Sequence, residues 1–221
     1  DECIILNSPV AYTVACEQSE YIERMKNIVL IRHGQSLGQS ASSRGQSRKH
    51  PDLIDCFLSD KGIYQAIELS HNLPNLHHGG EPMTFDLVCT SPLTRAVATC
   101  VLGLGHIPAQ QLEAVDGIVT TQFICHPDLA EIGGSIPENE GRAINTVLRD
   151  VRHKLKHYTD TSCLDIIDVS LLPPSWPNIT ESNAKNSVMN FIEWLHGRPE
   201  ENIAIVCHFN VINKLLRTRG Y

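Results

Sequence analysis

The sequence has no excess of basic residues, no closely spaced pair of cysteines, no long apolar stretch and no internal repeat. Its 18 lysines and arginines against 25 acidic residues give a formal net charge of −7, which argues against the broad basic surface that binds nucleic acids or anionic membranes. No apolar run approaches the roughly 20 residues that cross a bilayer. We therefore expect neither nucleic acid nor membrane as a partner, and an anionic ligand would need a local basic pocket.

The eight cysteines are scattered, without a Cys-x-x-Cys pair or a dense disulfide framework. This spacing favours a reducing compartment, and Cys89, Cys100 and Cys207 lie in apolar runs where a thiol packs as a small hydrophobe. We therefore expect a cytoplasmic protein. The chain begins at Asp1 and not at Met, which leaves room for an upstream targeting segment.

The segment at residues 27–31, apolar after its first residue, and the wholly apolar segment at residues 203–207 are typical of strands buried on both faces of a parallel sheet. Further strands are predicted at residues 85–90 and 118–124, and the polar stretch 35–51 is predicted to be a loop. Helical spacing predicts helices from Ser59 or Asp60 to Pro74, from the N-cap Ser91 and the first helical residue Pro92 to Leu102, over residues 138–158 and 183–196, and after His208.

Strands that alternate with helices predict an α/β fold, here a three-layer sandwich with a mostly parallel central sheet and helices on both faces. A chain of 221 residues is long enough for one well-buried domain. We expect that domain at residues 27–221, with residues 1–26 as an N-terminal extension. Nothing in the sequence indicates an oligomeric state.

Reactive side chains follow the ends of three predicted strands: Arg32 and His33 after the first, Arg95 shortly after the second, and His208 at the last. Because ligands of open α/β sheets bind beyond the carboxyl ends of the strands, we expect these side chains to meet at one edge. Guanidinium groups bind phosphate oxygens in a bidentate manner and stay charged. The sequence therefore predicts a pocket for a phosphoryl group.

Four motifs in this order resemble those of the histidine phosphatase superfamily, including its phosphoglycerate mutase-like branch. They are Arg32-His33-Gly34 after an apolar strand, Leu58-x-x-x-Gly62-x-x-Gln65-Ala66, Ser91-Pro92-Leu93-Thr94-Arg95-Ala96, and a late strand that ends in His208. The resemblance extends from residue 27 to the C-terminus and implies a phosphoglycerate mutase-like fold.

The resemblance implies that His33 is a nucleophile that becomes transiently phosphorylated, while Arg32, Arg95 and His208 bind the phosphoryl oxygens. The nucleophile must be neutral, and we expect the neighbouring arginine charge to lower the pKa of His33 from its unperturbed value of about 6.5. The implied chemistry needs neither a metal nor a cofactor. The expected substrate is a small phosphoester.

The remaining candidate site residues lie outside the four motifs. Glu131, in Leu129-Ala130-Glu131-Ile132-Gly133-Gly134, resembles the acid of the family, which would protonate the leaving group and later activate water. Gln35 and Ser36 follow the nucleophile and are expected to donate hydrogen bonds to substrate or phosphate. Three basic residues are expected in a solvated loop, with steering of an anionic substrate as the alternative: Arg44, Arg48 and Lys49.

Three functions remain open at this point. A phosphomonoester hydrolase is favoured over a phosphoglycerate mutase, because residues 37–43 lack the Asn-rich, Trp-containing stretch of the cofactor-dependent mutases. A catalytically silent binding module is the third reading. It is motivated by Cys207 and Phe209, which flank His208 where the family commonly has glycine or serine before it and glycine after it.

Overall fold

The computed structural model describes residues 26–73, 84–107, 121–134, 136–174 and 179–218, together with the backbone of residues 11–16, 77–78 and 81–82. The regular elements, in chain order, are β1 (Ala11–Cys16), β2 (Lys26–Arg32), α1 (Leu37–Ser43), α2 (Asp60–Asn72), β3 (His77–His78), β4 (Glu81–Pro82), β5 (Leu87–Thr90), α3 (Thr94–Leu104), β6 (Gln122–Cys125), α4 (Ile144–Leu155), β7 (Ile167–Asp168), α5 (Ala184–His196), β8 (Asn202–Cys207) and α6 (Phe209–Thr218). Short 3₁₀ turns lie at Pro51–Leu53, Pro127–Leu129, Pro137–Asn139 and Ser162–Asp165.

The central sheet has the strand order β1-β2-β8-β5-β6-β7. Strand β1 pairs antiparallel with β2, and the other neighbouring strands pair in parallel. The predicted mostly parallel sheet is therefore confirmed. Residues 1–26, which we expected to be an N-terminal extension, contribute β1 as a strand at the edge of this sheet.

Side chains alternate between the two faces of the sheet, as the pleat of a strand requires. One face packs against α2, α3 and α4, and its core includes Val29, Ile31 and Val206. The other face packs against α5 and α6 around Ile28, Leu30 and Ile205. The predicted three-layer α/β sandwich is thus confirmed. No helix among the described residues is long and apolar enough to cross a bilayer.

One local prediction near the first strand is wrong. Residues 35–51 contain the helix α1, because Ser36 accepts a hydrogen bond from the Gln39 N–H (3.0 Å) and the Gln39 side chain accepts one from the Ser36 N–H (3.0 Å). This reciprocal pair is a capping box, and its Ser-x-x-Gln spacing was present in the sequence. Further along the chain, the adjacent histidines His77 and His78 form strand β3, which pairs antiparallel with β4.

Two helix starts also differ from the prediction. Helix α3 begins at Thr94, two residues later than a cap at Ser91 would place it, and its N-cap residue Leu93 has no capping side chain. Helix α4 begins at Ile144 and not at residue 138, because Pro137–Asn139 forms a separate 3₁₀ turn. Strand β6 begins at Gln122, and residues 118–120 lie outside the described residues.

The cysteines predicted to be core residues are fully buried. Cys89, Cys100 and Cys207 have no exposed surface, and burial raises the pKa of each thiol, so they are neutral. All described cysteine side chains are free thiols.

Candidate active site

The site lies at the carboxyl ends of the three adjacent strands β2, β8 and β5. The parallel pairing of β2 with β8 sets Arg32 opposite Cys207, and the His33 N–H donates to the Cys207 carbonyl (3.0 Å). On the other side of β8, the Ser91 N–H donates to the Val206 carbonyl (2.9 Å). The rings of His33 and His208 therefore leave the sheet side by side, with their centroids 4.9 Å apart.

The hydrogen bonds of His33 assign its protons. Its Nδ1 lies 2.6 Å from the Gly34 carbonyl oxygen, which can only accept, so Nδ1 carries a proton. Its Nε2 accepts a hydrogen bond from the Arg95 Nε–H (3.2 Å), which can only donate. His33 is thus a neutral imidazole whose Nε2 carries the lone pair.

The electrostatic surroundings favour the same state. Burial lowers the pKa of His33 well below its usual range, and the charges of Arg95, Arg32 and Arg48 lower it further. The direction agrees with the sequence-based expectation. The main cause is burial, however, and not arginine charge.

Arg95 is the most enclosed cation of the site, with only 1% of its surface exposed. Beyond its bond to His33, its Nη1 donates to the Glu138 carbonyl and its Nη2 to Asn139 Oδ1 (2.8 Å). Neither partner was identified from the sequence. A carbonyl oxygen and a lone asparagine in a loop carry no local pattern that could have pointed to them.

Among the described residues, three buried side-chain nitrogens have no hydrogen-bond partner: Arg32 Nε, Arg48 Nε and His208 Nδ1. All three belong to residues that act on His33, through the charges of Arg32 and Arg48 or through the neighbouring ring of His208. A buried polar group without a partner costs about 1–3 kcal/mol. Such a cluster is suited to an anionic ligand with several acceptor oxygens.

His208 is completely buried, and its Nε2 lies 2.7 Å from the Ser91 hydroxyl. Burial lowers the pKa of His208, and the charge of Arg95 lowers it further, so its ring is neutral. The two residues that flank His208 lie in different surroundings. Cys207 packs in the core, whereas Phe209 is 49% exposed. The Phe209 ring centroid lies 5.3 Å from the Arg32 guanidinium carbon, within cation–π range.

Glu131, the candidate acid, is half-buried after the 3₁₀ turn Pro127–Leu129. Its Oε1 accepts a hydrogen bond from the Ile132 N–H (2.9 Å). Burial raises the pKa of Glu131, while the charges of Arg95 and Arg32 oppose that rise. A carboxyl group that holds its proton to higher pH suits general acid chemistry.

Gln35 and Ser36 are held by contacts within the protein. The Gln35 side-chain oxygen accepts from the Ser59 hydroxyl (2.8 Å). The Ser36 hydroxyl donates its single proton to Glu138 Oε2 (3.0 Å), so in this structure it is not placed as a donor to phosphate. Ser36 instead caps α1 and contacts the buried carboxylate of Glu138.

Two motif glycines allow the nucleophile loop to approach α2. A Cβ atom at Gly34 would lie 2.4 Å from the Gly62 carbonyl oxygen, and one at Gly62 would lie 2.1 Å from the Gln35 carbonyl oxygen. Both distances are far below a van der Waals contact. The spacing between these motifs therefore reflects close backbone packing beneath His33.

The predicted basic cluster is divided by the fold. Arg44 lies on the surface and donates to Ser40 Oγ (2.7 Å), whereas Arg48 forms an ion pair with Glu138, which is only 2% exposed. Lys49 is exposed. Only Arg48 is thus directed towards the site, where its charge acts on His33.

A family model described as the histidine phosphatase superfamily, branch 1, matches residues 28–219. The chain belongs to this superfamily. Two curated proteins are similar to this histidine phosphatase superfamily member. A Schizosaccharomyces pombe protein named "Probable phosphatase" is 33% identical over 81 residues, which cover 37% of this chain and 33% of that protein. An Arabidopsis thaliana phosphoglycerate mutase-like protein is 24% identical over 217 residues, which cover 90% of this chain and 76% of that protein.

Solved structures are also similar to this member of the superfamily. A phosphoglycerate mutase from Bacillus anthracis aligns with a TM-score of 0.49 at 16% identity, over 86% of this chain and 78% of that chain. An alpha-ribazole phosphatase from Shigella flexneri aligns with a TM-score of 0.45 at 25% identity, over 87% of this chain and 78% of that chain.

Proposed function

We propose that this superfamily member is a metal-independent phosphomonoester hydrolase that acts on a small phosphorylated substrate through a phosphohistidine at His33. The observation that carries the proposal is the protonation pattern of the ring. The Nδ1–H bond to the Gly34 carbonyl leaves the Nε2 lone pair beside the Arg95 guanidinium. A neutral nucleophile next to a cation that binds phosphate is the arrangement this reaction needs.

In the first step, the hydrogen bond from Arg95 Nε–H to Nε2 breaks, the freed Nε2 lone pair attacks phosphorus, the N–P bond forms and the bond from phosphorus to the leaving oxygen breaks. The imidazole ring gains positive charge as it becomes phosphorylated, because Nδ1 keeps its proton. The Gly34 carbonyl, 2.6 Å from Nδ1, stabilises that charge. The backbone of the motif thus supports the intermediate directly.

The phosphoryl oxygens bind to groups that still have hydrogen-bonding capacity. A guanidinium has five N–H donors, and two terminal nitrogens of Arg95 each use one N–H on protein acceptors, which leaves the second N–H of each terminal nitrogen, together with the Nε–H once His33 Nε2 attacks phosphorus. Arg32 Nε and His208 Nδ1 are buried without partners. Donation of the Ser91 hydroxyl proton to His208 Nε2 gives the tautomer in which Nδ1–H points to a phosphoryl oxygen. Preorganised donors of this kind stabilise the transition state strongly.

Glu131 is the proposed acid and base. Its carboxyl proton goes to the leaving alkoxide in the first step. In the second step the resulting carboxylate takes a proton from water, the water oxygen bonds to phosphorus, and the N–P bond breaks to release inorganic phosphate. The raised pKa of Glu131 supports the first half of this cycle.

The cationic side chains supply the charge that a metal ion provides in other phosphatases, and this supports a metal-independent reaction. A mutase would share the first step but return the phosphoryl group to a sugar acid. Residues 37–43 form a short helix with the sequence LGQSASS, without the Asn-rich, Trp-containing stretch of the mutases. This difference favours water as the acceptor.

The test is a screen of small phosphoesters with and without chelator, which compares the parent with His33→Ala and with His157→Ala as a control for an exposed histidine. We expect the parent and His157→Ala to release phosphate in chelator and to form an acid-labile, alkali-stable phosphoprotein. His33→Ala should do neither.

Activity that is lost in chelator, or retained in His33→Ala, would contradict the mechanism. Interconversion of phosphoglycerates faster than phosphate release would identify a mutase. Binding of phosphate without any turnover would identify a silent module.

A further inference from the structure

Helix α3, which carries Arg95, is capped by a residue from a distant loop. Its N-cap residue Leu93 has no side chain that can accept a hydrogen bond. The carboxylate of Asp55, 39 residues earlier, accepts from the Thr94 N–H at Oδ1 (2.7 Å) and from the Thr94 hydroxyl at Oδ2 (2.6 Å). Asp55 is only 1% exposed. The first turn of α3 is therefore held in place by Asp55.

Asp55 also contacts the turn that binds the guanidinium of Arg95. The Asp55 N–H donates to the Pro137 carbonyl (3.1 Å), at the start of the 3₁₀ turn Pro137–Asn139. This turn supplies the Glu138 carbonyl and the Asn139 side chain, the two acceptors that bind the Arg95 terminal nitrogens. Asp55 thus connects the helix from which Arg95 projects with the turn that receives its guanidinium.

An outer arginine completes this connection. Arg142 donates from Nε to Asp55 Oδ2 (3.1 Å) and from Nη2 to the Thr94 hydroxyl (3.0 Å), while its Nη1 binds Asp150 Oδ2 (2.8 Å). Burial raises the pKa of Asp55, and the hydrogen bonds from Thr94 and the charge of Arg142 oppose that rise. With so many donors directed at it, the carboxylate of Asp55 is the form that fits this site.

Charge and backbone geometry support the same role. Burial lowers the pKa of Arg95, and the charges of Glu131 and then of Asp55 oppose that effect, so Asp55 contributes to keeping Arg95 cationic. The backbone of Asp55 has φ +41°, in the left-handed region that is costly for a residue with a side chain. Such a conformation persists only where the surrounding contacts enforce it.

We propose that Asp55 is a positioning residue for Arg95: it caps α3 from outside the helix and thereby sets the guanidinium against His33 Nε2. The inference rests on the proposed function, in which Arg95 binds the phosphoryl group. The hydrogen-bond partners of Asp55 are Thr94, Arg142 and the Pro137 carbonyl, and His33 is not among them. The effect of Asp55 on ligand binding must therefore pass through Arg95.

A double-mutant cycle tests this dependence, with inorganic phosphate as the probe in calorimetric titration. Asp55→Asn keeps the shape and one acceptor but removes the charge and faces an NH₂ group towards the donors of Thr94 and Arg142. The matched control is Asp150→Asn, which removes the same charge from the far end of Arg142 and leaves the Asp55–Thr94 contacts intact.

We expect Asp55→Asn to weaken phosphate binding about 10-fold, since charge-assisted hydrogen bonds are lost, and Asp150→Asn to change it less than about 3-fold. In an Arg95→Gln background, Asp55→Asn should have no further effect. A folded Asp55→Asn protein that binds as the parent does, or a full loss on top of Arg95→Gln, would overturn the proposal. Should Asp55→Asn fail to fold, Thr94→Val, which removes one of the two bonds, must show a smaller loss with the same dependence on Arg95.

A second readout does not require phosphate. Displacement of Arg95 removes the donor to His33 Nε2, so the ¹⁵N resonance of that nitrogen should shift in Asp55→Asn and stay in place in Asp150→Asn. An unchanged resonance in Asp55→Asn also overturns the proposal. If the parent binds no phosphate through Arg95, the proposed function fails, and the His33 resonance alone decides the role of Asp55.

Discussion

Acid should destabilise the protein through His126, a buried histidine that follows β6. Its ring packs against Trp194 (4.7 Å between centroids) and Phe191 (5.0 Å), and its Nδ1 accepts from the Asp128 N–H (3.3 Å). Burial lowers the pKa of His126 to about 4. The folded-state pKa of His126 lies below its unfolded value of about 6.5. The contribution of the neutral His126 to the free energy of unfolding is therefore fully present above pH 6.5 and is lost as the pH falls towards 4.

The size of the effect follows from the two pKa values. Between them, the free energy of unfolding falls by up to about 1.4 kcal/mol per pH unit, so the loss from pH 8 to pH 5 is about 2 kcal/mol for His126 alone. The pKa values of His33 and His208 are also lowered by burial and act in the same direction. The share of His126 must therefore be isolated by a variant that does not titrate.

The assay is urea unfolding at pH 8 and pH 5, for the parent and for His126→Gln, followed by circular dichroism. The variant should lose about 2 kcal/mol less than the parent over this interval. His157→Gln, at an exposed position, should behave as the parent does. An equal pH-dependent loss in the parent and in His126→Gln would refute the reasoning.

Three further predictions concern the site. Glu131→Gln should lower kcat/KM, which reports the phosphorylation step, by roughly 10²–10⁴-fold for alkyl phosphates but little for nitrophenyl phosphate, because that leaving group needs no proton; in the parent, the Glu131 acid is lost as the pH rises through its raised pKa, which sets the alkaline limb of the kcat/KM profile. Equal losses for both substrates would contradict the acid role. Phe209→Leu removes the cation–π contact to Arg32, so we expect KM to rise about 2- to 5-fold with kcat retained; a fall in kcat alone would contradict this. Gly62→Ala places a Cβ against the Gln35 carbonyl, so thermal unfolding should show a loss of roughly 1–3 kcal/mol or more, whereas Gly197→Ala, where φ is negative and the Cβ would make only ordinary van der Waals contact, should lose less; equal losses would show that close packing is not the cause.

The comparison of prediction with structure separates two kinds of information at the nucleophile. The strands that carry His33 and His208 were correctly predicted, because a run of apolar residues is a local signal. The helix α1 was missed although Ser36 and Gln39 stand at capping-box spacing, since the polar composition of this stretch is equally typical of a loop. The signal for this helix was therefore present in the sequence and was misinterpreted.

The amino-acid sequence by itself determined the α/β sheet, the family resemblance and the meeting of Arg32, His33, Arg95 and His208 at one edge, because parallel strands bring their carboxyl ends together wherever they lie in the chain. Only the tertiary structure decided which nitrogen of His33 carries the proton and what holds Arg95. The proton of His33 is assigned by the Gly34 carbonyl and by Arg95. The contacts around Arg95 involve Asp55, Glu138 and Asn139, which lie about 40 residues away on either side. A contact between two loops depends on the positions of both loops in the folded chain, and it cannot be predicted from the periodicity or spacing of residues within either loop.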